Sequence, residues 1–144
     1  MLECLILGDS IAVGTKMFMP ECQLVGKGGI NTWQFNKMYP NNELYANTVI
    51  ISLGSNDHKY VKTYDELFAM RQRVGAKNVF WILPHGNLKA SELPIEKVQG
   101  IVRELAQYYG DTVLPIRGIS GDQIHPTGNG YKDIVKQVKE NETK

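Results

Sequence analysis

The run Asn47-Thr48-Val49-Ile50-Ile51-Ser52-Leu53 is continuous, β-branched and without an alternating polar side, and it stops at Gly54-Ser55-Asn56-Asp57. A strand of this kind must be covered on both faces, which places it in the middle of a sheet wrapped by helices. Four further short apolar runs have the same character: Leu2 to Leu7, Gln23 to Val25, Asn78 to Leu83 and Thr112 to Ile116. Each is closed by a breaker: Gly8-Asp9-Ser10, Gly26-Lys27-Gly28-Gly29, Pro84 and a Gly-rich loop reaching His125.

Helical signals fill the intervals. A helix starts at Asp9-Ser10, and Asn31 can cap a second helix that covers Trp33, Phe35 and Met38. Thr63 and Glu66 have capping-box spacing ahead of Leu67, Met70 and Val74 on one helical face. Ile95, Val98, Val102, Leu105 and Tyr109 recur at spacings of 3, 4, 3 and 4, with Pro94 at the start and Gly110 at the end. Thr127 can cap a last helix through Tyr131, Ile134, Val135 and Val138. Five strands alternating with five helices predict an α/β fold: a five-stranded parallel sheet in the order 2-1-3-4-5, with helices on both faces joined by right-handed crossovers. At 144 residues the expectation is one domain over 1–144.

Charge and composition exclude several functions. Sixteen Lys+Arg against 15 Asp+Glu leave a formal +1, so no basic surplus draws the chain to nucleic acid or to anionic lipid. The longest apolar stretches, such as Val79 to Leu83, fall far short of the ~20 residues that cross a bilayer. Met1-Leu2-Glu3-Cys4 opens with an acid rather than a basic secretory n-region, so a soluble, cytoplasmic protein is expected. Cys4 and Cys22 are too sparse for a disulfide framework and read as buried free thiols. Gly8 to Gly14 has the wrong length and Thr15-Lys16 the wrong order for a phosphate loop, and Asn31 stands where a dinucleotide fingerprint needs Gly or Ala. His58, His85 and His125 are tens of residues apart without metal-ligand spacing, so no metal is expected.

In open parallel sheets, chemistry collects outside the carboxyl ends of the strands. Here those positions hold Asp9, Ser10, Gly29, Asn56, Asp57, His85, Asp122 and His125. Ser10 is a hydroxyl at a strand-to-helix turn, the place for a nucleophile. Asp122 and His125, three apart in a loop, can put a carboxylate against the ring nitrogen that faces away from Ser10. The Gly29 backbone amide and the Asn56 side-chain amide can donate to an oxyanion. Separately these are a helix cap, a turn, an Asx turn and a solvated loop; together, after strands 1, 2, 3 and 5, they are the parts of an acyl-transfer site.

The same residues carry a family resemblance. Gly8-Asp9-Ser10-Ile11, Gly28-Gly29, Gly54-Ser55-Asn56-Asp57, Asp122-Gln123-Ile124-His125-Pro126 and Gly130-Tyr131 resemble, in order, the blocks of the SGNH hydrolases, the GDSL-type esterases and lipases. The resemblance implies a flavodoxin-like three-layer α/β/α sandwich, Ser10 as nucleophile, His125 as base, Asp122 as its partner, and an oxyanion hole of the Ser10 and Gly29 amides with Asn56. It implies no cofactor. The short connections leave little material for a lid or an acyl tunnel, so small acyl esters are the expected substrates, acetyl on a carbohydrate first. An acyltransferase, a thioesterase and a noncatalytic glycan-binding or structural module are the alternatives. His85 and His58 are secondary candidates for touching substrate, against plainer readings as a polar loop residue and a surface residue. Trp33 reads as core rather than as a sugar-stacking platform, and Asp9 and Asp57 as loop-holding residues.

Overall fold

The structure, a computed structural model, describes residues 1–86 and 91–143. In chain order it runs β1 (Leu2–Gly8), α1 (Ser10–Phe18), β2 (Gln23–Gly26), α2 (Thr32–Met38), β3 (Leu44–Ser52), α3 (Thr63–Gln72), β4 (Val74–Ile82), α4 (Ile95–Tyr109), β5 (Thr112–Leu114) and α5 (Gly128–Asn141). All strand pairs are parallel and the order is β2-β1-β3-β4-β5.

Period-two alternation along the central strands builds two cores, one on each face. Leu5, Leu7, Val49, Ile51 and Trp81 face one side, where Phe35 of α2, Leu67 and Met70 of α3 and Val102 and Leu105 of α4 cover them. Ile6, Ile50, Phe80 and Ile82 face the other, under Ile11 and Ala12 of α1 and Ile134 and Val138 of α5. The expected α/β/α layering follows from this double burial.

Several local expectations change. Val74 is the first residue of β4, paired with Leu44, rather than the end of a helical face. α3 stops at Gln72, and only Arg73 separates it from the strand. β3 and β4 therefore both start earlier than their apolar runs, because Leu44 to Ala46 and Val74 to Ala76 pair in a stretch that includes Gly75. β5 ends at Leu114 because Pro115 has no N–H for the ladder. Thr63 does not cap α3: Lys62 stands at the N-cap, and the Thr63 hydroxyl donates instead to Asp57 Oδ2 at 2.6 Å. Asn31 does cap α2, in a reciprocal box with Gln34. Of that helix only Phe35 of the three expected core residues is buried; Trp33 is 49% and Met38 46% exposed.

Cys4 and Cys22 are buried as expected, but they are not free thiols: they form a disulfide across 4.8 Å between Cα atoms. Strand register explains it. Leu5 pairs with Gln23, so the residues one step earlier on each chain segment lie side by side. Among the described residues no helix is long and apolar enough to cross a membrane.

Candidate active site

Ser10 is the first residue of α1, presented by a sharp turn out of β1. Gly8 makes the turn with φ +139°, where a Cβ would fall on the Ser52 carbonyl. Asp9 then caps the helix: its Oδ1 accepts from Ile11 N at 3.0 Å and from Ser52 Oγ at 3.1 Å, while its own N–H donates to Ser52 O. Its other oxygen is buried without a partner among the described residues, and burial pushes the carboxyl up to about 6.

The loop before α5 brings His125 to Ser10. Ser10 Oγ lies 2.8 Å from His125 Nε2, and His125 Nδ1 lies 2.6 Å from Asp122 Oδ2. Asp122 Oδ1 accepts from the backbone N–H of Ile124 and of His125 and from Ser120 Oγ. The N–H of His125 first, then that of Ile124, hold this carboxyl well below the usual carboxylate range. An ionised carboxylate can only accept, so it fixes the proton on Nδ1 and leaves Nε2 as the acceptor for the Ser10 hydroxyl. The side chains of His125 and Asp122 are 41% and 47% exposed, so the site opens to solvent.

Packing underneath fixes this alignment. Tyr131 of α5 stacks on Phe18 of α1 at 5.6 Å, and a Cβ at Gly14 would strike the Tyr131 ring. The helix that carries Ser10 and the helix that follows His125 are thus docked on each other. Ile119 bridges Pro126, and Ser120 N donates to His125 O, closing the loop into a narrow turn. Gln123 at its tip has φ +64°, and its carbonyl accepts from His85 Nδ1 at 2.6 Å. Gly86 sits so close that a side chain there would meet the same carbonyl.

The other two loops approach from β2 and β3. A Cβ on Gly28 would lie 3.9 Å from Ser10 Cβ, so this turn rests against Ser10, and Gly29 beside it faces open space. Asn56 Nδ2 donates to Ile30 O at 3.0 Å, which orients the amide and leaves its second N–H for another acceptor. Asp57, raised by burial, accepts from Thr32 N, Thr32 Oγ1 and Thr63 Oγ1 and so ties this loop to the starts of α2 and α3.

The structure therefore joins Ser10, His125 and Asp122 in one hydrogen-bonded chain, sets the Gly28-Gly29 turn against Ser10 and anchors Asn56 to that turn. His85 is placed on the Gln123 carbonyl. His58 lines a separate cleft with Trp33 and Tyr60. The hydroxyls of Ser52, Thr32 and Ser120, each bonded to one of the loop carboxylates, carry no sequence signal beyond a Ser or Thr close to a strand end or helix start, and Thr63, expected as a helix cap, is a fourth of the same kind. Among the described residues no group of three His, Cys, Asp or Glu side chains could hold a metal ion.

No protein-family model matches this chain, and no curated protein matches its sequence. Solved structures do match its fold. A GDSL-like lipase from Bacteroides thetaiotaomicron VPI-5482 superposes with TM-score 0.69 at 17% identity, over 96% of this chain and 88% of that one. The C-terminal catalytic domain of Streptococcus pneumoniae peptidoglycan O-acetyltransferase A gives 0.68 at 17% identity, over 96% and 93%. An alpha/beta hydrolase enzyme from the Lake Arreo metagenome gives 0.60 at 17% identity, over 92% and 90%. The chain shares the fold of these hydrolases and acyltransferases.

Proposed function

We propose that this chain is an SGNH-type serine ester hydrolase acting on small acyl esters, acetyl foremost. The observation that carries the reading is the unbroken chain from Ser10 Oγ through the His125 ring to an ionised Asp122. In the proposed reaction Ser10 Oγ bonds to the acyl carbon as its proton passes to His125 Nε2, and Asp122 stabilises the resulting imidazolium. The carbonyl oxygen, now negative, takes hydrogen bonds from Gly29 N–H, from the free N–H of Asn56 and from Ser10 N–H, which lies in the first turn of α1 where helix amides lack intrahelical acceptors. Collapse breaks the ester C–O bond and returns the proton to the departing alcohol. Water, deprotonated by the same imidazole, then releases the acid and restores Ser10.

The open His125 would admit an acceptor alcohol as well as water, and one fold neighbour is named an O-acetyltransferase, which supports acyl transfer as the second reading. A disulfide persists in oxidising compartments and is reduced in a mesophile cytosol, so the proposal includes an extracytoplasmic setting rather than the cytoplasmic one expected from the N-terminal residues. Initial rates on p-nitrophenyl esters of increasing acyl length, with Ser10→Ala as blank, test the reaction. Serine-dependent turnover that is greatest on acetate supports it; rates equal to the blank on every ester overturn it. Product analysis with added alcohols separates transfer from hydrolysis.

A further inference from the structure

Next along the chain from the Gly29 and Asn56 loops, which Asn56 Nδ2 ties together through Ile30 O, lies a cleft of about 450 Å³ that the chemistry above does not use, lined by Asn31, Trp33, His58, Tyr60, Lys62 and Glu66 among others. Its volume falls within the ~300–1,000 Å³ of small-molecule sites. Both walls are continuous with the proposed oxyanion donors. Two residues past Gly29 the chain reaches Asn31 and then Trp33; two residues past Asn56 it reaches His58 and then Tyr60. Four extended residues reach at most about 14 Å, which bounds how far Trp33 and Tyr60 can stand from Gly29 and Asn56 along the chain. We infer that this cleft is a subsite for a neutral sugar ring, the alcohol portion of the ester; the inference rests on the hydrolase reading and names its substrate class.

The lining is the argument. Trp33, in the first turn of α2, is 49% exposed and Tyr60, in the loop before α3, is 80% exposed, whereas Phe35, Phe80 and Trp81 are buried. Exposed rings interleaved with polar groups suit a ligand with apolar C–H faces and a rim of hydroxyls, which is the description of a pyranose. The polar groups are set for hydroxyls. His58 Nδ1 accepts from Tyr60 N at 3.2 Å, so the neutral ring carries its proton on Nε2 as a donor. Glu66 is engaged through Oε1 by Asn36 at 2.8 Å and retains Oε2 as an acceptor. Lys62 and Glu66 balance in charge within the lining, while Lys37 and Lys59 stand over the Trp33 and Tyr60 rings at 5.8 and 5.2 Å and Lys59 is itself paired with Glu92. An acyl-chain pocket would need aliphatic walls, and among the described residues Val61 is the single aliphatic one in the lining. The arrangement is stable without a ligand: Asn31 is locked in the α2 capping box, and Asp57, next to His58, accepts three hydrogen bonds.

The two tryptophans make the test direct. Trp81 is 1% exposed and donates to Asp111, so ligand-dependent fluorescence reports Trp33. The inactive Ser10→Ala protein is titrated separately with xylotetraose, cellotetraose and chitotetraose. A saturable change in emission with at least one of them, weakened about tenfold by adding Tyr60→Ala, is expected, at affinities toward the millimolar end. Absence of saturation with all three overturns the assignment. In parallel, the ratio of kcat/KM on the acetylated form of the oligosaccharide that binds to kcat/KM on p-nitrophenyl acetate is compared between wild type and Trp33→Ala. A fall of about tenfold or more in that ratio supports a subsite of the reaction; an unmoved ratio overturns it. Saturable binding by a protein that hydrolyses neither ester would sink the hydrolase reading and leave the sugar cleft standing. Serine-dependent hydrolysis of p-nitrophenyl acetate without saturable binding of any of the three oligosaccharides would do the reverse.

Discussion

The ring of His85, at the end of β4, donates through Nδ1 to the carbonyl of Gln123 at 2.6 Å, pinning the turn between Asp122 and His125 from outside. Gln123 holds a positive φ that a free loop would relax, so the bond maintains the geometry that points the Asp122 carboxylate at the ring of His125. His85→Ala is expected to lower kcat by roughly tenfold with KM little changed, because a small misplacement of the base slows chemistry more than binding. His85→Asn, whose Nδ2 reaches nearly the same place as Nδ1, should recover most of the loss. Steady-state kinetics of the three proteins decide it: equal kcat in His85→Ala and wild type would leave His85 a bystander.

Asn56 spends one N–H on Ile30 O and offers the other. If that second N–H meets the developing oxyanion, Asn56→Ala should cost about 10²–10³ in kcat while the protein stays folded. Circular dichroism and thermal melting establish the fold, and the rate on p-nitrophenyl acetate supplies the answer. A rate within a factor of about two of wild type would remove Asn56 from the oxyanion hole.

How much of this was legible before the structure differs by scale. Strand order and layering followed from apolar runs buried on both faces, since Val49, Ile50 and Ile51 leave no polar side and so require helices above and below. The juxtaposition of Ser10, Asp122 and His125 followed from topology, because strand ends β1 and β5 open on the same rim. Contacts that depend on register or on rotamers did not follow. Cys4 and Cys22 are 18 residues apart, and only the Leu5 to Gln23 pairing shows that they meet. Thr63 had the spacing of a helix cap, but a buried carboxylate at Asp57 competed for its hydroxyl and took it. Trp33 followed a capping residue on an amphipathic helix and was expected in the core; one step of helical phase, about 100°, separates the buried face from the cleft.

The disulfide gives a stability prediction. Closing an 18-residue separation restricts the unfolded chain by about 3 kcal/mol in the loop-entropy account. Replacing both cysteines, Cys4→Ala with Cys22→Ala, should lower the melting temperature by roughly 10 °C for a domain of this size. The comparison is made without reductant. Identical melting curves for the two proteins would mean that the thiols are unpaired in solution. Ser10 follows the bonded strand by only a short turn, so activity at the melting onset should fall together with the fold.

Asp9 supplies a pH dependence of stability whose sign is the opposite of a salt-bridged carboxylate. Burial raises it from the ordinary 3.8 to about 6, so the folded protein holds this proton more tightly than the unfolded chain does. Its contribution is greatest below pH 3.8, declines as pH rises toward 6 and is constant above. Asp122 and Glu21 are shifted downward and pull the other way, favouring the fold above the ordinary carboxylate range and losing that effect as pH falls. The total curve therefore does not isolate Asp9, but a difference does. Asp9→Asn keeps an oxygen for Ile11 N and Ser52 Oγ and cannot ionise. Relative to wild type, its unfolding free energy should rise by about 1 kcal/mol between pH 5 and pH 8. Urea unfolding of both proteins at the two pH values measures this difference directly. A difference that stays constant, or that moves in the opposite direction, would mean that the Asp9 carboxyl is ionised in the folded protein throughout that range.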